Sequence, residues 1–338
     1  MSASLVSTQE KLNGLQPIHI RRDLAAIADL IEQCFASSLD AGGRAAIQEM
    51  RLMSRSGPLL WMLGGLKQVM PGLDRGFVWY EHGRLVGNVS ITGTGYGRGY
   101  VIANVAVYPE LRRRGIARQL MHASLDWIAA HGQFATLQVE ADNEGARRLY
   151  ESLGFVAQRT FTRWRRATSY HTPGTVVESL QALTRRDADR LYRLVSSVRP
   201  NEQGGLGWLR PTELDRLRPL RWGSVRYLFS GRTVYYWGLP NSDGELDAAL
   251  ITESRLGSLT SLFDALLRPE RQGELELSLV YQAIDLLGGR HQPLVTDHPA
   301  DDEPMNDALR QSHFKPERTL VHMIWNSTEK GPVTDDHR

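Results

Sequence analysis

Three arginines and a glycine, set between a strand-like segment and a helix-like one, constrain this chain more than any other feature. The segment runs Val105-Ala106-Val107-Tyr108-Pro109-Glu110-Leu111-Arg112-Arg113-Arg114-Gly115-Ile116-Ala117. Its first part closes Tyr100–Tyr108, a run rich in β-branched and aromatic residues that reads as a largely buried strand. A helix is expected from about Gly115 to His131, with Ile116, Leu120, Ala123 and Trp127 on one stripe and Gly132 as its stop. Glycine lets the backbone approach a ligand closely, and the free N–H groups at a helix start favour an anion. Arg112, Arg113 and Arg114 supply charge and forked donors suited to phosphate. Alone, the stretch reads either as a pyrophosphate cradle or as an ordinary turn with solvated arginines.

A second stretch bears on that choice: Gln138-Val139-Glu140-Ala141-Asp142-Asn143, then a short helix to Leu153 closed by Gly154-Phe155. Asn143, Ala146 and Tyr150 fall at i, i+3 and i+7, so one helical face presents all three. Leu149 and Leu153 are expected to face the core. Upstream, residues 17–21 read as a short strand, and Leu24, Ile27, Ile31 and Phe35 form a helical stripe with Asp23 as N-cap. Glu81-His82-Gly83 between two strand-like runs is a hairpin signal. The order β-α-α-β-β-β-α-β-α-β gives a mixed α/β domain.

Together, Arg-x-x-Gly-x-Ala after Val-Ala-Val-x-Pro-Glu, and Asn-x-x-Ala-x-x-x-Tyr-x-x-x-Gly-Phe, resemble the two hallmark motifs of the GNAT superfamily of acyltransferases. The resemblance covers about residues 17–166 and is strongest over 100–156. It implies a mixed central sheet of GNAT type and acetyl-CoA bound where two neighbouring strands splay apart. Val105 and Val107, with Ala106 between them, would hold the pantetheine arm and thioester through the backbone. Arg112, Arg113, Arg114, Gly115, Ile116, Ala117 and Arg118 would wrap the pyrophosphate, and Asn143 and Ala146 would line the other wall. Tyr150 matches the tyrosine that in many members protonates the departing thiolate; the alternative is packing, with a hydroxyl that only orients the thioester. Some relatives carry a glutamate base where Gln138 stands, and glutamine cannot serve. Glu140, two residues on and on the same strand face, is the substitute, and a water relay is the alternative.

The second half reads as a worn copy of the first. Arg21-Arg22-Asp23 matches Arg185-Arg186-Asp187 at an offset of 164, Pro109-Glu110 matches Pro269-Glu270 at 160, and Phe155 matches Phe314 at 159. The copy lacks the anion-binding spacing, and Glu270, Glu274 and Glu276 make its turn acidic. Expected boundaries are a catalytic GNAT domain at 17–167, a linker at 168–176, a degenerate GNAT-like domain at 177–326, and flexible termini at 1–16 and 327–338. Trp61, Met62, Leu66, Val69 and Met70 suit an acceptor pocket or the core face of a second helix. The loop Gly93–Gly99 suits a substrate loop or a hairpin turn.

Composition narrows the function classes. With 40 basic and 38 acidic residues the net charge is only +2, far from a nucleic-acid binder's footprint. No window approaches the ~18 apolar residues of a membrane helix, and the start lacks a secretory profile. The one cysteine, Cys34, excludes an internal disulfide and a Cys-cluster metal site. A cytoplasmic protein using acetyl-CoA without a metal is expected, transferring acetyl to the primary amine of a small molecule. The rival is a non-catalytic acyl-CoA-binding sensor.

Overall fold

The computed structural model describes residues 12–36, 41–55, 75–168, 180–218, 232–255, 259–288 and 292–327. These fall into two units. The first takes the described residues within Met1–Gln138, Gly145–Val156 and Met323–Arg338, and the second those within Val139–Glu144 and Ala157–His322. Residues Trp61 to Met70 and most of the expected linker, 169–176, lie outside the described residues.

In the first unit, β1 (Gly14–Pro17) leads into α1 (Ile20–Phe35) and α2 (Ala41–Arg55), followed by β2 (Gly76–Glu81), β3 (Arg84–Gly93) and β4 (Gly99–Val107). Next come α3 (Ile116–His131), β5 (Phe134–Glu140) and α4 (Glu144–Ser152). The strands lie in the order β1-β2-β3-β4-β5. Neighbours are antiparallel except β4 and β5, which run parallel. The opening strand is therefore Gly14–Pro17 rather than 17–21, and residues 14–16 pair with β2 instead of lying in a loose terminus. Asp23 does not cap α1. It sits in the first turn, fully buried, and accepts from the His19 N–H (2.8 Å) and the Tyr80 hydroxyl (2.7 Å).

The β2–β3 hairpin turns at His82-Gly83, both at positive φ, as a two-residue turn with matching twist requires. Gly93–Gly99 is likewise a strand connection, closed by Thr94 N–H on the Gly99 carbonyl. On α3 the buried stripe is Ile116, Leu120, Met121, Ser124, Leu125 and Ile128. Ala123 and Trp127 lie at its margin, and Trp127 packs edge-on against Tyr100 and stacks with His131.

The second unit repeats the plan. It holds β6 (Val156–Arg166, from Ala157), β7 (Gln181–Ala182), α5 (Ala188–Val198), β8 (Arg232–Pro240), β9 (Leu246–Arg255) and β10 (Ser261–Leu267). It continues with α6 (Glu276–Gly288), β11 (Leu294–Pro299), α7 (Glu303–Gln311) and β12 (Lys315–Asn326, as far as His322). β10 and β11 are parallel, as β4 and β5 are, and β6 pairs antiparallel with β11. Its core gathers Leu250, Phe263, Leu279, Ile284, Leu309 and Phe314. The two units share small details. Phe155 N–H bonds the Tyr150 carbonyl (3.1 Å) and Phe314 N–H the Leu309 carbonyl (3.0 Å). Gly154 and His313, the residues just before each Phe, both take positive φ. Among the described residues no helix is long and apolar enough to cross a membrane.

β4 and β5 meet only at Gly99↔Phe134, Tyr100↔Ala135 and Val101↔Thr136. At the first pair the Phe134 ring lies against Gly99, where an added Cβ would stand 2.0 Å from it. Gly99→Ala is therefore expected to lower unfolding free energy by about 1–3 kcal/mol, read as a lower denaturant midpoint at unchanged m-value.

Candidate active site

Beyond Val101 the two parallel strands have no further paired residues, so β4 turns a bare edge toward the space it leaves beside β5. A bulge accompanies the parting. Asn88 pairs with Ala106 and Ser90 with Ala103, which leaves Asn104 and Val105 opposite Val89 alone. Asn104 takes φ +53, in the left-handed region that asparagine enters more readily than most residues. Val105 is half-buried, while Ala106 and Val107 are buried. The Val107 carbonyl already accepts from Arg112 Nε (3.2 Å) and Cys34 Sγ (3.4 Å). Of the two valines, Val105 thus offers the freer backbone.

The chain leaves this edge through a single turn of 3-10 helix, Pro109–Leu111, and enters α3 at Gly115. Gly115 takes φ 81 and ψ −2, and no side chain caps the helix. The first intrahelical bond is Gln119 N–H to the Gly115 carbonyl, so the N–H groups of Ile116, Ala117 and Arg118 precede the ladder. Arg113 also takes positive φ, and such alternation turns successive N–H groups toward one side. Arg112, Arg113, Arg114 and Arg118 are exposed. Arg114 pairs with Glu81 (3.1 Å), and Arg118 donates to Ser152 Oγ (2.9 Å), joining the starts of α3 and the end of α4. Arg113 makes no side-chain bond to any described residue, leaving its guanidinium available.

On α4, Tyr150 is the buried residue, 6% exposed, with its ring tilted against Phe155 at 5.9 Å. Leu149 and Leu153, expected inside, are only half-buried; the helix is rotated so that the tyrosine takes the inner position. Burial pushes the Tyr150 phenol up to about 12, and its hydroxyl bonds no described residue. Ala146 is half-buried on the same helix. Asn143 and Glu140 fall in the second unit, where Asn143 N–H bonds the Glu140 carbonyl (3.0 Å). Burial raises the Glu140 carboxyl, Arg318 opposes that shift, and Asp142 adds to it.

A polar cluster lies under the bulge, outside both motifs. Asn88 is fully buried, donating through Nδ2 to the Asn104 carbonyl (3.0 Å) and to Ser90 Oγ (3.3 Å), while its Oδ1 has no partner. Leaving such an oxygen dry costs about 1–3 kcal/mol. The only signal in the sequence was an asparagine inside an apolar strand.

The second unit keeps the backbone of this arrangement and reverses its electrostatics. β10 and β11 pair only at Ser261↔Leu294 and Leu262↔Val295. The following turn, Pro269–Arg271, is again a 3-10 helix. Here Arg271 is bound by Glu274 (2.7 Å) and Asp247 (2.5 Å), and the Gly273 N–H is taken by Glu276 Oε1 (2.7 Å). Asp264, 160 residues after Asn104, is held by Arg210 (2.6 Å), and Leu309 occupies the place of Tyr150. Among the described residues, no group of three or more His, Cys, Asp or Glu is placed to hold a metal.

Residues 52–155 match the model of the acetyltransferase (GNAT) family. Over 79 residues it is 43% identical to N-alpha-acetyltransferase 30 of Schizosaccharomyces pombe, covering 23% of this chain and 48% of that protein. Over 53 residues it is 43% identical to the [ribosomal protein bS18]-alanine N-acetyltransferase of Salmonella typhimurium, covering 15% of this chain and 36% of that protein. The chain thus matches about half, or less, of the length of these curated relatives. Its fold is that of tandem GNAT proteins. A tandem GNAT protein from the clavulanic acid biosynthesis pathway superposes with TM-score 0.53 at 16% identity, covering 94% of this chain and 99% of that one. A GCN5-related N-acetyltransferase from Sphaerobacter thermophilus gives 0.58 at 14%, covering 93% and 95%.

A Cβ at Gly115 meets no atom within 4 Å, so the fold has room for a side chain there and resists only the positive φ, at roughly 1–2 kcal/mol. If the turn holds a pyrophosphate, Gly115→Glu stays folded and loses at least about tenfold in acetyl-CoA affinity by calorimetry, since a carboxylate replaces open space beside the N–H groups.

Proposed function

We propose that the chain is an N-acetyltransferase that takes the acetyl group of acetyl-CoA and passes it directly to a primary amine. The observation that carries this reading is the bare edge of β4, opening after Val101 and leading straight into the uncapped, arginine-flanked start of α3. In this reading the residues from Arg112 to Arg118 receive the pyrophosphate, and the Val105 backbone receives the pantetheine and thioester. Ala146 and Asn143 line the arm, and Tyr150 lies toward the sulfur. A cytosolic setting, with no metal required, belongs to the same reading.

The chemistry follows from these groups. A neutral amine attacks the thioester carbonyl, forming the C–N bond and an oxyanion that a backbone N–H can stabilise. Collapse breaks the C–S bond, and the electron pair leaves on sulfur. A thiol ordinarily ionises near 8.5, whereas Tyr150 holds its proton to about 12. Complete transfer from the phenol to the thiolate is therefore uphill. Tyr150 acts as a hydrogen-bond donor to the leaving sulfur, and the proton lost from nitrogen balances the charge. An amine near 10.4 must shed a proton before attack. Glu140, whose carboxyl burial raises, is a base able to take it, with a water relay as the other route.

A small molecule is the acceptor this reading takes first. A protein N-terminus is the second, favoured by the names of the two curated relatives. The 177–326 half, as a degenerate copy of 17–167, contributes no coenzyme site, because its turn presents Glu274 and Glu276 where the first presents arginines.

Two measurements test the proposal. Titration calorimetry is expected to give one equivalent of acetyl-CoA per chain, and two equivalents would overturn the division between the halves. A thiol-release assay over small amines and N-terminal peptides is expected to find turnover with one class. Binding without any turnover would leave the sensor reading in its place. With the acceptor in hand, Tyr150→Phe is expected to lower kcat on the order of 10²-fold at nearly unchanged coenzyme affinity.

A further inference from the structure

Asn88 is buried in a strand whose neighbours are Val86, Gly87 and Val89, and it has half its hydrogen-bonding capacity unused. A buried amide with an orphaned oxygen is costly, so a leucine of similar size would suit the site better on packing grounds alone. What the amide does achieve is local. Its Nδ2 takes the Asn104 carbonyl at 3.0 Å, and the same nitrogen reaches Ser90 Oγ, to which Asn104 Nδ2 also donates at 3.4 Å. The two amides and one hydroxyl thus hold the bulge at the residue whose φ is +53.

The peptide bond between Asn104 and Val105 is planar and trans, so its carbonyl and its N–H point in opposite directions. With the Asn104 carbonyl drawn toward Asn88 on β3, the Val105 N–H is turned away from β3. That is the side on which β4 has parted from β5. We infer that Asn88 is a positioning residue: through the Asn104 carbonyl it aims the Val105 N–H into the opening, where an oxyanion forms during acyl transfer. The inference rests on the transferase reading above and adds to it a residue outside both motifs.

A residue that serves packing alone and one that aims a donor give opposite results on substitution. Asn88→Leu removes the orphaned oxygen and keeps the volume, so it leaves the melting temperature equal or higher. As a positioning residue its loss lowers kcat on the order of tenfold or more, with acetyl-CoA affinity and acceptor KM within about twofold of the parent. In the Asn88→Leu background, Asn104→Gly recovers part of the lost kcat, because glycine takes the left-handed φ without strain and without the clamp. Full kcat in a folded Asn88→Leu variant overturns the assignment while leaving the transferase reading intact. A parent chain that turns over acetyl-CoA with no amine overturns both.

Discussion

Everything proposed for this chain depends on two parallel strands separating. β4 and β5 pair at three positions, Gly99 to Val101, and then part. Parting leaves polar backbone on β4 without a strand partner, which a folded chain tolerates only where something else completes the bonding. The bulge at Asn104–Val105 is the device on the other side of β4: it adds a residue against β3, bends the strand and increases its twist. The edge freed in this way runs directly into the Arg112–Gly115 turn and the start of α3. Strand edge and turn therefore lead directly to a helix start whose Ile116, Ala117 and Arg118 N–H groups precede the ladder, with arginines on either side.

The second unit repeats this backbone geometry with a different charge pattern. Its parallel pair is one position shorter, its 3-10 turn follows the equivalent strand, and its Phe314 closes on Leu309 as Phe155 closes on Tyr150. The side chains differ in sign and in partners. Arg271 is neutralised from two sides, Glu276 occupies a backbone N–H at the helix start, and leucine replaces the hydroxyl. A duplicated fold has kept its packing, which many apolar sequences satisfy, and lost the charge pattern, which depends on a few positions.

Much of the first unit was legible because its signals are local. The His82-Gly83 turn, the β4 strand, the helix entered at Gly115 and the helix closed at Gly154 depend on residues within one turn or strand of each other. Errors arose where a distant partner decided. The place of Asp23 before an apolar stripe suggests a cap, yet it lies inside the first turn, where the Tyr80 hydroxyl donates to it. The period of α4 puts Leu149 and Leu153 on the core side, yet Tyr150 is the buried residue of the helix and the two leucines are half-buried. The half-buried places of the two leucines follow from what packs on the helix, which periodicity does not contain.

From the residues alone came the element order, the arginine-flanked turn, the two family motifs and the worn second copy, because turn chemistry, charge spacing and apolar period are short-range properties. The tertiary structure alone decided which strands share a unit. Residues 157–166 of β6 and the last residues of β12, from Met323, lie in units other than those their sequence neighbours suggest. It also decided where β4 and β5 separate and what Asn88 holds. Strand pairing and the partners of a buried amide depend on residues far apart in the chain, and no local pattern carries that information.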